Sequence, residues 1–379
     1  MTVYDVVVVG AGIIGLSSAW RALGSGRSVM VVDPAPGQGA SHVAAGMLAP
    51  VTEARAAEEP LTRLGLASVR RWAGFAEELA ADAGGAELGL RRDGTLQVAF
   101  DDDDRRCLDE LAAVHGLLGL ESERLSSRRC RELVPLLNPR VRGGLLVPGD
   151  WQVDPRRVVS ALLAAVARRG GAVRDAAVVG LHRAGAAARV DGVVLGDGTV
   201  LAASAVVLAA GTGLPRLAAL PGEVCFPVRP VKGEILRLRG EPFDACGSLM
   251  TVRATVQGQA VYLVPRLDGE IVVGATVQEA GYDSTVRSGA VLELLRAAVD
   301  LVPALGELPL AEVTAGLRPA TPDNAPMIGP TGVEGLHVAT GHYRNGILLA
   351  PITAELVVSG LDSGRLPEEA AAFCAGRFG

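Results

Sequence analysis

Lysine is all but missing from this chain. Of its 36 basic residues only Lys232 is a lysine. The bias reflects genome composition more than function, yet it makes Lys232, in the segment VKGE, a position to note, whether as a plain strand lysine or as one with a local structural role. No run of basic residues stands out and the net charge is −6, which sets nucleic acid aside as a partner. The five cysteines (Cys107, Cys130, Cys225, Cys246 and Cys374) are odd in number, scattered, and without a C-x-x-C spacing. That argues against a disulfide framework and against zinc. The five histidines are equally dispersed and no H-E-x-x-H occurs, so no metal is expected. Apolar runs such as AVVLAAG fall far short of the roughly 20 residues a membrane span needs. The N-terminus enters TVYDVVVVG with no basic region and no cleavage site. No signal peptide is therefore expected, and a cytoplasmic location follows by default.

What remains is ample for a core. The chain has 379 residues, 49% of them hydrophobic, enough for two domains. DVVVVG reads as a strand buried on both faces. AGIIGLSSAWRALGSG has helical apolar spacing, and RSVMVVD is a second buried strand. Together they form a βαβ unit and an α/β, Rossmann-like opening. Residues 61–83 and the run DDDDRRCLDELAAVHGLLG read as helices, the second with acidic residues at its N-terminus. LRRDGTLQVAF between them reads as a hairpin edge. Asp154 and Pro155 suit the cap and first position of a further helix. From 172 to 209 short strands alternate with Gly/Asp turns, as in an antiparallel meander. Longer strands follow over 224–278, then a helix near 287–302 and a last helix starting near Ile347. The pattern predicts an α/β dinucleotide-binding domain over 1–84, 143–220 and 316–379. A strand-rich α+β second domain, 85–142 and 221–315, is inserted into it.

Gly10, Gly12 and Gly15 form G-x-G-x-x-G between the first strand and helix, and Asp33 ends the next strand. Gly10 permits a tight turn, Gly12 lets the backbone approach a pyrophosphate, and Gly15 lets helix and strand pack closely. The helix N-terminus offers N–H groups and its dipole to phosphates. Asp33 can hold ribose hydroxyls. The motif does not separate FAD from NAD. NAD dehydrogenases usually continue in parallel βα units, whereas PGQGASHVAAGMLAPV follows here. These small residues, with Ser41 among them, can run flat against a large planar ligand, although a surface loop would read the same.

GASHVAAGMLAP, VKGE, YLVPR…GEIVVGAT, AGLRPATPDNAPMIGP and GHYRNGILLAP together resemble the glycine oxidases of thiamine biosynthesis. These belong to the D-amino-acid oxidase superfamily of FAD-dependent oxidoreductases. The resemblance runs from near residue 5 to near residue 358. It implies a two-domain fold, non-covalent FAD, and oxidation of a small amine or amino acid by hydride transfer from Cα to flavin N5. Oxygen would be reduced to hydrogen peroxide, and the imine from glycine would hydrolyse to glyoxylate and ammonia. Substrate-side residues fall on Arg318, Tyr262 and Arg344. Besides the glycine motif, flavin contacts fall on Ile13, Ile14, Asp33, Pro34, Ala40, Ser41, Ala45, Gly46, Met47, Val178 and Gly211. They continue through His342, Tyr343, Arg344, Asn345, Gly346, Ile347 and Leu348. Homotetramers are common in that family, which makes one an implied assembly; no residue pattern in the chain argues for it. His42, Val43 and Val277 depart from the family's usual residues, and Val277 is expected beside the substrate.

From local sequence alone, Arg318 could pair with a surface acid as readily as with a substrate carboxylate. Tyr262 could be core, and Met47 a packing residue. No general base stands out. A neutral bound amine would need none, because orientation and electrostatics then suffice. The helix near Ile347 is expected to direct its N-terminus at the flavin's pyrimidine edge. Oxidases of sarcosine, proline or D-amino acids remain open, as do an NAD dehydrogenase and a non-catalytic flavin module.

Overall fold

Val6, Val7, Val8 and Val9 are all buried, as a strand covered on both faces requires. In the structure, a computed structural model describing residues 3–183, 189–218, 220–240, 250–256 and 258–378, their strand Tyr4–Val9 is the hub of an eight-stranded sheet. It pairs in parallel with Val29–Asp33 and with Val200–Leu208. Leu336–Thr340 extends the parallel set, and Met327–Pro330 closes that edge antiparallel. Helices Ile13–Gly24, Glu59–Asp82, Pro155–Arg168 and Ala350–Ser363 share one core with this sheet. Trp20, Phe75 and Trp72 sit in it as edge-on pairs with ring centroids 5.2 Å apart, a favoured aromatic geometry. Asp154 caps the third of these helices, accepting from the N–H groups of Arg156 and Arg157, with Pro155 at its start.

The second sheet also has eight strands, and its central members are mostly antiparallel. Leu310–Ala320 pairs with Arg229–Arg239, then follow Glu270–Gly274, Gln259–Pro265 and Thr251–Val256. Helix Ser288–Leu301 covers one face through Leu294, Ala298 and Leu301. The opposite face turns toward the first sheet, with Ile235, Val264 and Val272 against Ala45.

Four expectations need correction. Thr95–Ala99 is no hairpin edge: it lies inside the second sheet, between Thr251–Val256 and Gly143–Val147. A Asp-Gly turn is a local signal, while a strand's neighbours are set by distant chain. For the same reason the boundaries shift. Gly143–Val147, placed with the 143–220 segment, pairs inside the second sheet, and position 316 falls within the Leu310–Ala320 strand. Ala172–Asp175 does not join the meander but pairs in parallel with Val29–Asp33. The last long helix begins at Ala350 rather than near Ile347. A helix from Ile347 would put Pro351 where an N–H must reach the Ile347 carbonyl, and proline has none. Starting at Ala350 places Pro351 in the first turn, where none is needed.

Candidate active site

A cavity of about 430 Å³ opens between the two sheets. Its first wall is backbone. Gly10 has φ +110, and a Cβ there would overlap the Ala209 carbonyl; only glycine tolerates both. Gly12 is the N-cap of helix Ile13–Gly24 and has no side chain to close the helix end, so the amide dipole faces the cavity. Ser41 Oγ accepts from Ile13 N at 3.0 Å and ties the small-residue loop to this end. Asp33 accepts from the N–H groups of Ala11 and Ala35 at 2.7 and 2.8 Å, which fixes the turn around the glycines.

The second wall carries charge. Arg318 projects from the Leu310–Ala320 strand over Gly233 of the neighbouring strand, where a Cβ would overlap its guanidinium. Its Nη1 donates to the carbonyls of Thr276 at 3.1 Å and Lys232 at 3.4 Å. Both acceptors are neutral carbonyls, so neither compensates its charge. Tyr262 lies opposite Gly274 across two strands, and a Cβ at Gly274 would overlap its hydroxyl. Burial raises the Tyr262 pKa despite the nearby Arg318 charge, so the phenol stays protonated.

The loop after Thr340 closes the third side. His342, Tyr343, Arg344, Asn345, Gly346 and Ile347 all line the cavity. His342 Nε2 is 3.0 Å from Thr353 Oγ1, and burial pushes its pKa down to about 3, so it is neutral. Arg344 Nε lies 3.3 Å from Glu53, whose carboxylate also pairs with Arg253 at 2.5 Å. Burial alone would raise the Glu53 pKa, but the two guanidiniums outweigh it and hold it at about 2. Glu53 is thus a permanent anion and a poor base.

Most residues named from sequence meet here: Gly10, Gly12, Ile13, Ile14, Asp33, Ala40, Ser41, Ala45, Gly46, Met47, Gly211, Tyr262 and Arg318, with the 342–347 loop. Four do not line the cavity. Gly15 instead packs its helix against the Gly10 carbonyl. Pro34 is exposed. Val178 belongs to the core beneath the first sheet. Leu348 is buried, and its carbonyl accepts from Ser68 Oγ and Trp72 Nε1 at 2.6 and 2.9 Å. Val277, expected beside the substrate, is 63% exposed. Sequence reasoning missed Glu53 and Arg253. One signal was available: Glu53 is the first Asp, Glu, Lys or Arg after Asp33, closing a long uncharged segment.

The first wall fits FAD. Its glycines leave room for a pyrophosphate, Asp33 stands at the end of the second strand, and the cavity continues from there to Tyr262 and Arg318. Among the described residues no helix is long and apolar enough to cross a membrane.

Comparison with known proteins agrees with this geometry. A bifunctional ThiO/ThiG protein of Synechocystis sp. is 36% identical over 365 residues, which are 94% of this chain and 51% of that protein. The chain thus spans about half the length of that relative. Glycine oxidase of Geobacillus kaustophilus is 32% identical over 358 residues, 93% of this chain and 92% of its own. The crystal structure of glycine oxidase from Geobacillus kaustophilus matches with a TM-score of 0.89 at 31% identity, covering 100% of this chain and 99% of that one. A family model described as FAD dependent oxidoreductase matches residues 5–359. With that match running from the first strand into the last long helix, the chain belongs to the FAD dependent oxidoreductase family, and FAD is its cofactor.

Proposed function

We propose that the protein oxidises glycine and other small amines or amino acids with non-covalently held FAD, yielding glyoxylate and ammonia from glycine through a hydrolysed imine. The carrying observation is Arg318: a guanidinium held by two carbonyls, without an acidic hydrogen-bond partner among the described residues, in the wall of a cavity shared with the dinucleotide motif. The chemistry supplied by FAD when bound is two-electron oxidation at Cα, with oxygen as final acceptor and hydrogen peroxide as product. The chain's residues bind and orient. Arg318 takes the substrate carboxylate through paired hydrogen bonds. Tyr262 closes the pocket with a protonated phenol. Arg344, anchored by Glu53, shapes the entrance. Ile235 lines the cavity, backed by buried Val264 and Val272, and an apolar wall of this kind strengthens the Arg318 interaction. Orientation rather than proton transfer is the protein's contribution. A role in thiamine thiazole synthesis belongs to the same proposal, supported by the likeness to ThiO/ThiG and to glycine oxidases.

Anaerobic mixing with glycine, sarcosine and D-alanine tests the reading, with the flavin's visible absorbance as signal. Bleaching by glycine, and peroxide once oxygen is admitted, is expected. Bleaching without peroxide would make the protein a dehydrogenase with another acceptor. Absence of bleaching by any small amine would end the proposal.

A further inference from the structure

The lone lysine sits directly behind Arg318. Lys232 and Glu234 are both fully buried, with Nζ 3.2 Å from Oε1. Side chains alternate along a strand, so both point to the face opposite Gly233, and Gly233 is where the Arg318 guanidinium rests. A buried ion pair is weak support for stability, because desolvation offsets attraction. Its placement therefore asks for another reason.

The partners of the pair supply one. Thr276 Oγ1 is 3.1 Å from Glu234 Oε2 and accepts from Glu234 N at 2.9 Å. Glu234 Oε1 accepts from the Arg287 N–H at 2.8 Å. Lys232 Nζ donates to the Thr285 carbonyl. Lys232 and Gln278 exchange backbone hydrogen bonds of 2.9 and 3.0 Å. Every one of these contacts ends on the segment 276–287. That segment, TVQEAGYDSTVR, has almost nothing apolar to bury. Val277 and Tyr282 are exposed, and Thr276 is its one fully covered residue. Hydrophobic burial does little to hold it in place; polar contacts do. Tyr282 Oη donates to the Thr212 carbonyl and Arg229 pairs with Glu279 along its exposed middle. Lys232 and Glu234 anchor its two ends, the first of which carries Arg318's acceptor. The Thr276 carbonyl is also the nearer of the two acceptors that hold Arg318 Nη1.

We propose that the Lys232–Glu234 pair is a positioning device for Arg318. It pins the 276–287 segment so that the carbonyls of Thr276 and Lys232 hold the guanidinium toward the cavity. Neither residue touches substrate. The inference rests on Arg318 being the carboxylate ligand, and the experiment separates the two ideas.

Two variants of the FAD-loaded enzyme serve. Thr276→Val keeps the carbonyl and both charges but removes the hydroxyl from Glu234. The double variant Lys232→Met with Glu234→Gln removes both charges and leaves no lone buried ion. Acetate, a bare carboxylate, is the binding probe, read by its perturbation of the flavin spectrum. For Thr276→Val the acetate Kd and the glycine KM should both rise about five- to tenfold, the scale of a lost hydrogen bond, with kcat within about twofold. The double variant should lose at least about tenfold on the same two constants while retaining FAD. A merely structural role would lower thermal stability without this split between KM and kcat. Folded variants that bind acetate like the wild type overturn the positioning role alone. A wild type that binds no acetate, or whose acetate binding survives Arg318→Ala, overturns the reading of Arg318 and this inference with it. Should the double variant fail to fold, Thr276→Val decides.

Discussion

The two sheets bury different kinds of residue. The strands Tyr4–Val9, Val29–Asp33 and Val200–Leu208 cover valines, leucine, alanine and methionine and no charged side chain beyond the half-buried Asp33. The second sheet buries Lys232, Glu234, Arg237, Arg266 and Glu270 among its apolar residues. Burial lowers the Arg266 pKa to about 10, yet the group remains a cation and donates to the carbonyls of Ala45 and Val153 at 2.5 and 2.9 Å. The difference follows from what each sheet must hold. A pyrophosphate is met by backbone N–H groups and a helix dipole, so the strands beneath can be wholly apolar. On the proposed reading, a substrate carboxylate is met by the Arg318 guanidinium, on a long flexible stem that must be aimed. Aiming it takes further polar groups, and those need partners of their own.

Breaking the contrast at its strongest point means Arg318→Ala. Catalytic efficiency with glycine should fall about 10³-fold, or ~4 kcal/mol, while the flavin stays bound. Peroxide kinetics and the absorbance of the purified protein check both halves; an apoprotein would show that the charged sheet also holds the cofactor. Gly10→Ala attacks the other side. The added Cβ meets the Ala209 carbonyl at a φ unsuited to alanine. Stability should drop by roughly 2–4 kcal/mol, and FAD should dissociate more readily. The glycine KM of whatever remains loaded should stay near that of the wild type, as thermal unfolding, FAD titration and kinetics would reveal.

Glu53→Gln sharpens the comparison further. It leaves Arg253 and Arg344 without their shared anion, and KM should rise about tenfold. The folded-state pKa of Glu53 lies below its ordinary 4.5. Its contribution is thus present above that value and is lost as pH falls toward 2. The variant should therefore unfold with a shallower acid dependence between these limits, measurable by denaturant titrations across that range. The smallest effect belongs to Val277→Ala. This exposed side chain does not line the cavity, so stability and substrate preference should stay within about 0.5 kcal/mol. A large change in preference would return Val277 to the site.

The first sheet was legible because its signals are local. Continuous β-branched runs, G-x-G-x-x-G and Asp33 lie within one short segment, and each has a direct structural meaning. The second sheet was legible as a set of strands but not as an arrangement. Thr95–Ala99 reads as an edge beside its Asp-Gly turn, yet its neighbours are 50 and 150 residues away in order of magnitude and make it internal. Glu53 was passed over for the same reason: its meaning lies in Arg253 and Arg344, which no spacing links to it. The GHYRNGILLAP loop was found as a candidate site, but its exit was misread, because Pro351 limits the helix start more sharply than the apolar pattern does.

By itself, the sequence determined the dinucleotide motif, the α/β opening, the strand-rich second half and the candidacy of Arg318, Tyr262 and Arg344. All of these rest on residue types and short spacings, which act through local backbone geometry. Tertiary structure alone decided that Arg318 lies over Gly233, that Glu53 joins two arginines, and that Lys232 stands behind the site. Those are charge interactions and close approaches between distant strands. They depend on distances that only a folded chain possesses.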